Sequence, residues 1–215
     1  MDLFFGTRNP GKLTELRRLL ARLPVRVLSP EDLPGPLPEV EEDGSTMAEN
    51  ARKKASAYAR LTGMHALADD SGICVDVLWG LPGVRSARWS EDVAPGLSSG
   101  ERDRANNQKL LGAMRGVPAE HRGAEYRAVL ALAAPDGTVL ATVTGTCRGV
   151  IGTEERGAGG FGYDPLFVPD AIVLGGPHLP RTMAELGPEE KDAISHRGEA
   201  MRKMLPLVRE LAAAG

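Results

Sequence analysis

Asp69-Asp70-Ser71-Gly72 follows the apolar run Met64 to Ala68. Adjacent carboxylates at the end of a strand could hold a hard cation or deprotonate a water. Ligand sites in α/β sheets favour the carboxyl ends of strands. Side chains alternate along a strand, so at most one of the two aspartates faces a given site directly. A turn in which both aspartates cap backbone N–H groups fits the same four residues. Thr7-Arg8-Asn9-Pro10-Gly11-Lys12 lies between a strand end and a helix start. Free N–H groups at the helix N-terminus, the charge of Lys12 and the side chains of Thr7 and Asn9 together suit a polyphosphate. The glycine spacing is not that of a Walker A loop, and an ordinary strand-to-helix turn with a solvated lysine is the competing reading.

Three further segments carry chemistry-bearing residues. Glu39, Glu41, Glu42 and Asp43 form an acidic run. Such runs are usually solvated faces, but one member could become a second metal ligand beside Asp70. Arg156 to Pro165 has four glycines in the six positions from Gly157 to Gly162, together with Phe161, Tyr163 and Asp164. Glycines permit close backbone approach to a flat ligand, a base can stack on an aromatic ring, and Asp164 could accept hydrogen bonds. A hairpin tip with its aromatics packed on the core is the alternative. Last, Lys191, His196 and Arg197 stand near the start of the final helix, where a cation could read a phosphate or a base carbonyl or could simply complete a charged helix end.

The elements that must position these groups read as an α/β chain with a mixed sheet. Leu3 to Gly6 is a short strand. Asn9 caps a helix with Pro10 in its first turn and an apolar stripe at Leu13, Leu16, Leu19 and Leu20. Val25 to Leu28 is a second strand, which makes a parallel βαβ unit. Thr46 and Glu49 form a capping box for a helix that stops at Gly63. Met64 to Ala68 and Ile73 to Leu78 are predicted as separate strands, interrupted at the aspartates. A helix is predicted from about Glu101 to Met114. Tyr126 to Ala134 and Thr138 to Arg148 pair around the turn Pro135-Asp136-Gly137. The chain ends in a helix whose Pro206 predicts a kink or break. No linker composition interrupts residues 1–215, so one domain is expected.

Bulk properties narrow the partners. The chain has 215 residues, 42% of them apolar and 4% aromatic, so its core is expected to be built from Ala, Leu and Val. A net charge of -3 gives no broad basic face for nucleic acid and no pull toward an anionic membrane. Cys74 and Cys147 lack metal-ligand spacing and read as two reduced thiols. The segment Met1 to Gly6 is poor in basic residues, and no apolar run approaches a membrane span, so a soluble cytoplasmic protein is expected.

Taken in order along nearly the whole chain, these segments resemble the inosine/xanthosine triphosphate pyrophosphatase family. The resemblance rests on Thr7-Arg8-Asn9-Pro10-Gly11-Lys12, Glu49-Asn50-Ala51-Arg52-Lys53-Lys54-Ala55, Ala68-Asp69-Asp70-Ser71-Gly72, Pro82-Gly83-Val84-Arg85-Ser86-Ala87-Arg88, Gly159-Gly160-Phe161-Gly162-Tyr163-Asp164-Pro165 and Ser195-His196-Arg197-Gly198. It implies a two-lobed fold with a long central mixed β-sheet, an active site in the inter-lobe cleft, and a homodimer. It implies hydrolysis of ITP, dITP and XTP to the monophosphate and pyrophosphate with Mg2+ as cofactor. Asp70 matches the catalytic base and metal ligand, and Glu42 matches a second metal ligand. Thr7, Arg8, Asn9, Pro10, Gly11, Lys12 and Lys54 match phosphate contacts, and Ser71 matches a further substrate contact. Phe161, Gly162, Tyr163, Asp164, Lys191, His196 and Arg197 match nucleotide-pocket positions. One departure is a longer insert around Leu174 to Pro180, followed by Pro180-Arg181-Thr182, which predicts a changed surface loop. Pyrophosphatases acting on modified pyrimidine nucleotides, and a nucleotide-binding regulator without catalysis, are the competing readings.

Overall fold

The computed structural model describes residues 1–173 and 180–214, and the chain divides into two compact units. The first unit comprises residues 1–70, 128–145 and 196–215, and the second residues 71–127 and 146–195. Six strands, β1 (Asp2–Phe5), β2 (Arg26–Leu28), β3 (His65–Val75), β4 (Gly123–Ala133), β5 (Val139–Ile151) and β6 (Phe167–Pro169), are hydrogen-bonded in the order β2-β1-β3-β4-β5-β6. β1 runs parallel to β2 and β3, whereas β5 and β6 are antiparallel, so the sheet is mixed.

In the first unit the helices begin where side-chain chemistry makes them begin. In α1 (Pro10–Leu20), Asn9 accepts from the Lys12 N–H at 3.1 Å and Pro10 occupies the first turn, where its missing donor costs nothing. In α2 (Met47–Thr62), Thr46 accepts from the Glu49 N–H at 3.1 Å, and the Glu49 carboxylate takes the N–H groups of Ser45 and Thr46 in return. Gly63 ends α2 at φ +66°, a conformation that side chains strain to adopt. The buried face of α2 carries Met47, Ala51, Ala55 and Tyr58, and also two polar residues, Asn50 and Lys54. The core of this unit joins Leu3 and Phe5 of β1, Leu16 and Leu20 of α1, Leu67 of β3, Leu130 and Leu132 of β4, and Met201, Met204 and Val208 of the last helix.

The second unit has its own core, centred on Ile73, Val75, Leu110, Met114, Tyr126, Tyr163, Leu166 and Phe167. Leu110 belongs to α3 (Ser99–Ala113), which packs on the 3-10 segment Gly83–Arg88. The short α4 (Asp170–Val173) and α5 (Pro188–Ile194) complete it. Most of the few aromatics are core residues, although Trp79 is exposed. Tyr163, Tyr126 and Phe167 are buried in this unit, and Phe4, Phe5 and Tyr58 in the first, so the cores are less purely aliphatic than composition suggested.

Three sequence expectations change. β3 does not break at the aspartates. It runs through Asp69-Asp70-Ser71-Gly72 to Val75, because both carboxylates find side-chain partners and need not cap a turn. The strand expected to reach Leu78 stops at Val75 and passes into a 3-10 turn over Asp76–Leu78. Pro206 does not break α6 (His196–Ala214). The interruption falls instead at the extended Ser195, between α5 and α6. Of the insert expected around Leu174 to Pro180, only Pro180 lies within the described residues, and its carbonyl accepts from Arg156 Nη2 at 2.8 Å.

One glycine brings β5 against α6. A Cβ at Gly145 would stand 2.1 Å from the His196 carbonyl oxygen and 2.3 Å from the Ala200 nitrogen, and both are backbone atoms that cannot step aside. Gly145→Ala should therefore push the first turn of α6 away and destabilise the protein by about 1–3 kcal/mol, the usual range for overpacking. A thermal melt checks this, and an unchanged midpoint would show that the contact yields freely.

Candidate active site

Asp69 and Asp70 leave β3 on opposite faces, as alternation requires, and each enters a different set of contacts. The Asp69 carboxylate accepts from Lys12 Nζ at 2.6 Å and from Arg197 Nε at 3.1 Å. Arg197 also donates to Glu15, and all four side chains belong to the first unit. The Asp69 carbonyl accepts from Lys54 Nζ at 2.6 Å, and the same ammonium reaches Glu42 Oε1 at 2.7 Å. On the other face, Asp70 Oδ2 accepts from Asn50 Nδ2 at 3.0 Å. Asn50 is held in that orientation because its Oδ1 takes the Gly44 N–H at 2.8 Å. The structure thus brings together Lys12, Lys54, Glu42, Asp70 and Arg197 with Asp69, which the sequence offered only as the alternative to Asp70, and adds Glu15 and Asn50, to which sequence reading assigned no role.

The electrostatics separate the two aspartates. Burial opposes the charge on Asp69, yet Lys12, Arg197 and Lys54 outweigh it and hold the carboxyl far below the usual range. Burial pushes the Asp70 carboxyl up. Lys54 and the Asn50 hydrogen bond oppose that shift, Glu42 adds to it, and the net direction is upward. The two aspartates are thus shifted in opposite directions, Asp69 down by its cations and Asp70 up by burial. Lys54 is held above its usual range, because Glu42, Asp69 and Asp70 outweigh its burial. Arg197 is likewise raised by Asp69 and Glu15 against its own burial.

The turn before α1 uses its polar side chains locally. Thr7 Oγ1 accepts from the Asn9 N–H at 3.1 Å, and Asn9 caps the helix. Arg8 is exposed and donates to the Leu37 carbonyl at 3.1 Å and to Glu39 at 3.3 Å. Pro10 and Gly11 open the helix without side-chain polar groups. His196 and Arg197, the first residues of α6, are both buried.

In the second unit the glycine-rich loop is organised around Asp164. Its Oδ2 accepts from the Phe161 N–H at 2.9 Å and from Lys191 Nζ at 2.6 Å. The Lys191 ammonium also lies 4.8 Å from the Phe161 ring centroid, a cation–π contact. Gly160 sits at φ +71°, and a Cβ there would meet Asp164 Oδ2 at 2.1 Å. The Gly162 N–H donates to Asp103 Oδ2 at 2.8 Å, and its carbonyl accepts from Asn107 Nδ2 at 3.2 Å. Tyr163 is buried and donates its hydroxyl to the Ser86 carbonyl at 2.9 Å, so it anchors the loop from below. Ser71 is half-buried on β3. Asp103 and Asn107 were not singled out in the sequence. They stand four apart on one face of α3, a spacing that fits a shared target but does not name it.

No group of three or more His, Cys, Asp or Glu side chains suited to a metal occurs among the described residues. Asp70 and Glu42 nonetheless fit a magnesium ion as donors. Both are carboxylates, and each lies within electrostatic reach of the other. Magnesium commonly takes one or two carboxylates and completes its shell with water and substrate phosphate.

Comparison with known proteins places this arrangement. The Ham1 family profile matches residues 3–207. The chain belongs to the Ham1 family. A dITP/XTP pyrophosphatase from Anaeromyxobacter dehalogenans (strain 2CP-C) is 57% identical, covering 99% of this chain and 99% of its own length. Among solved structures, a HAM1 protein from Coxiella burnetii matches with a TM-score of 0.79 and 35% identity over 98% of this chain and 99% of its own. A nucleoside-triphosphatase, a dITP/XTP pyrophosphatase from Mycobacterium abscessus, matches with a TM-score of 0.69 and 43% identity over 96% of this chain and 100% of its own. These Ham1 structures share the mixed α/β architecture. No helix among the described residues is long and apolar enough to cross a membrane.

Proposed function

We propose that this Ham1-family chain is a nucleoside-triphosphate pyrophosphatase. It hydrolyses ITP, dITP and XTP to the monophosphate and pyrophosphate and so removes damaged purines from the nucleotide pool. The observation that carries this reading is the placing of a buried Asp70, its carboxyl pushed up by burial, beside two lysines that meet the same strand, the half-buried Lys12 and the buried Lys54. A triphosphate carries about four negative charges, and phosphoryl transfer is governed by positioning and by charge stabilisation. Lys12, Lys54 and the N-terminus of α1 offset the substrate's charge. Asp70 accepts a proton from the water that attacks the α-phosphorus. Asp70 and Glu42 would hold Mg2+, which would supply Lewis-acid stabilisation of charge on the phosphates. In the second unit Lys191 and Asp164 fix the loop of Phe161, whose ring is the kind of aromatic face on which a base stacks. The buried Arg197 acts through its carboxylate partners. Polar mismatch at the base edge supplies selectivity for a C6 oxygen over an amino group. The protein acts as a cytoplasmic homodimer on a small-molecule substrate, without nucleic acid or membrane.

The test is product identity. ITP incubated with the protein and Mg2+ should give IMP and pyrophosphate directly. IDP with orthophosphate as first products would overturn attack at the α-phosphorus. Intact ITP would favour a nucleotide-binding regulator.

A further inference from the structure

Asp69 is engaged by three cationic side chains, yet it takes no step in the proposed reaction. Its side chain is 1% exposed, so it cannot touch a substrate that stays outside the protein. Its Oδ1 is occupied by Lys12, its Oδ2 by Arg197, and its carbonyl by Lys54. A carboxylate with both oxygens engaged by cations is a poor base and has little left for a metal.

We infer that Asp69 is the positioning residue for Lys12, holding the ammonium at the phosphate site within a set of four charges linked by three ion pairs, Lys12–Asp69–Arg197–Glu15. The backbone of α1 completes the ring, because Lys12 and Glu15 stand three apart on the same face of that helix. Lys12 reaches β3 directly, and Glu15 reaches it through Arg197. Exposure is graded around the ring. The side chains of Asp69, Arg197 and Glu15 are 1%, 2% and 8% exposed, and that of Lys12 is 17%. The one member open to a ligand is thus the lysine, and its deeper neighbours serve to hold it.

The charge count supports this division. Two cations face two carboxylates, so the ring is neutral. Arg197 shares Asp69 with Lys12 and draws Glu15 on its other side. Asp69 therefore fixes Lys12 without fully neutralising it. An ammonium has three donors, and Asp69 takes one of those on Lys12, leaving two that can meet phosphate oxygens. A free lysine side chain would lose rotamer freedom on binding the triphosphate, and in this ring that loss has already been met on folding. Burial also works against the charge on Lys12, and Asp69 is its largest counterweight.

This inference rests on Lys12 meeting the triphosphate. The experiment is a double-mutant cycle with Lys12→Met and Asp69→Asn. It reads kcat and KM for ITP with Mg2+, and a calorimetric Kd for ITP with the metal chelated. Asn matches the shape of Asp, but its amide presents a donor to one of the two cations. Asp69→Asn should raise KM and Kd about tenfold and lower kcat by a smaller factor. Lys12→Met should show the same pattern, and the double variant should be no worse than Lys12→Met alone, because the second residue acts through the first. Effects that add, or wild-type KM and Kd in Asp69→Asn, would overturn the inference. If Asp69→Asn alone does not fold, the double variant loses both charges together and is compared with Lys12→Met. Equal Kd values support positioning, and a further tenfold loss refutes it. If Lys12→Met itself binds and turns over ITP normally, the phosphate reading of Lys12 fails and this inference falls with it. An impaired Lys12→Met with additive effects at Asp69 overturns only the positioning role.

Discussion

Asp70→Asn should lower kcat for ITP by at least about 10²-fold while leaving the protein folded. A positioned base contributes about 10²–10⁴-fold, and loss of a metal-binding carboxylate adds to that. The fold survives because the substitution removes charge without removing shape. Asp70 makes one hydrogen bond to protein, from Asn50 Nδ2, and an asparagine can offer its carbonyl oxygen to the same donor. The substitution also removes a buried carboxylate whose charge burial disfavours, so it carries little stability penalty. The measurements are initial rates across a Mg2+ titration and a thermal melt of the same preparation. A folded Asp70→Asn with near wild-type kcat would remove Asp70 from the chemistry. Loss of folding would make it a structural residue of β3.

Arg197→Met has the opposite signature, a large loss of stability. Arg197 is buried between Asp69 and Glu15, and its guanidinium neutralises both. Removing one partner of a buried ion pair costs about 3–5 kcal/mol, because the carboxylates stay buried without the charge that compensated them. For a chain of this size that lowers Tm on the order of 10 °C. The loss depends on pH in a defined direction. The folded-state pKa of Asp69 is depressed, so its stabilising contribution is complete above the ordinary aspartate range and is lost as pH falls toward the depressed value. The gap in Tm between wild type and Arg197→Met should narrow in acid. Melts at neutral and acid pH test both statements, and an equal Tm at neutral pH would show that the ring contributes nothing to stability. Arg197→Met and Asp70→Asn thus separate a residue that holds the site from one that performs its chemistry.

Much of the local structure is legible without coordinates, because its energetics act within about four residues. Asn9 and Pro10 start α1, Thr46 and Glu49 start α2, and Gly63 ends it, all by contacts between near neighbours in the chain. The turn at Pro135-Asp136-Gly137 joins β4 to β5 for the same reason, with the Gly137 N–H donating to the Ala134 carbonyl at 2.7 Å. The motif residues Lys12, Lys54 and Asp70 were also readable, because a resemblance in order along the chain marks positions even when it does not state their contacts.

What the residues near Asp69 could not reveal is its role. Alternation correctly sent Asp69 and Asp70 to opposite faces, but it does not say what waits on each face. The partners of Asp69 are Lys12, 57 residues away, and Arg197, 128 residues away, and Arg197 meets Glu15 across 182 residues. No local propensity encodes such a meeting. It follows from packing α1 and α6 together, which brings charges from both ends of the chain onto one strand. Contacts distant in sequence also explain why β3 continues through two aspartates that looked like a turn. Ion pairs from α1 and α6 satisfy Asp69, and the Asn50 amide on α2 satisfies Asp70, so neither carboxylate is left to cap backbone. Asn50 and Lys54 show the boundary between the two kinds of information. Their spacing places them on the apolar stripe of α2, an anomaly visible in the sequence, but only the tertiary structure shows Asp70 and Asp69 on the other side.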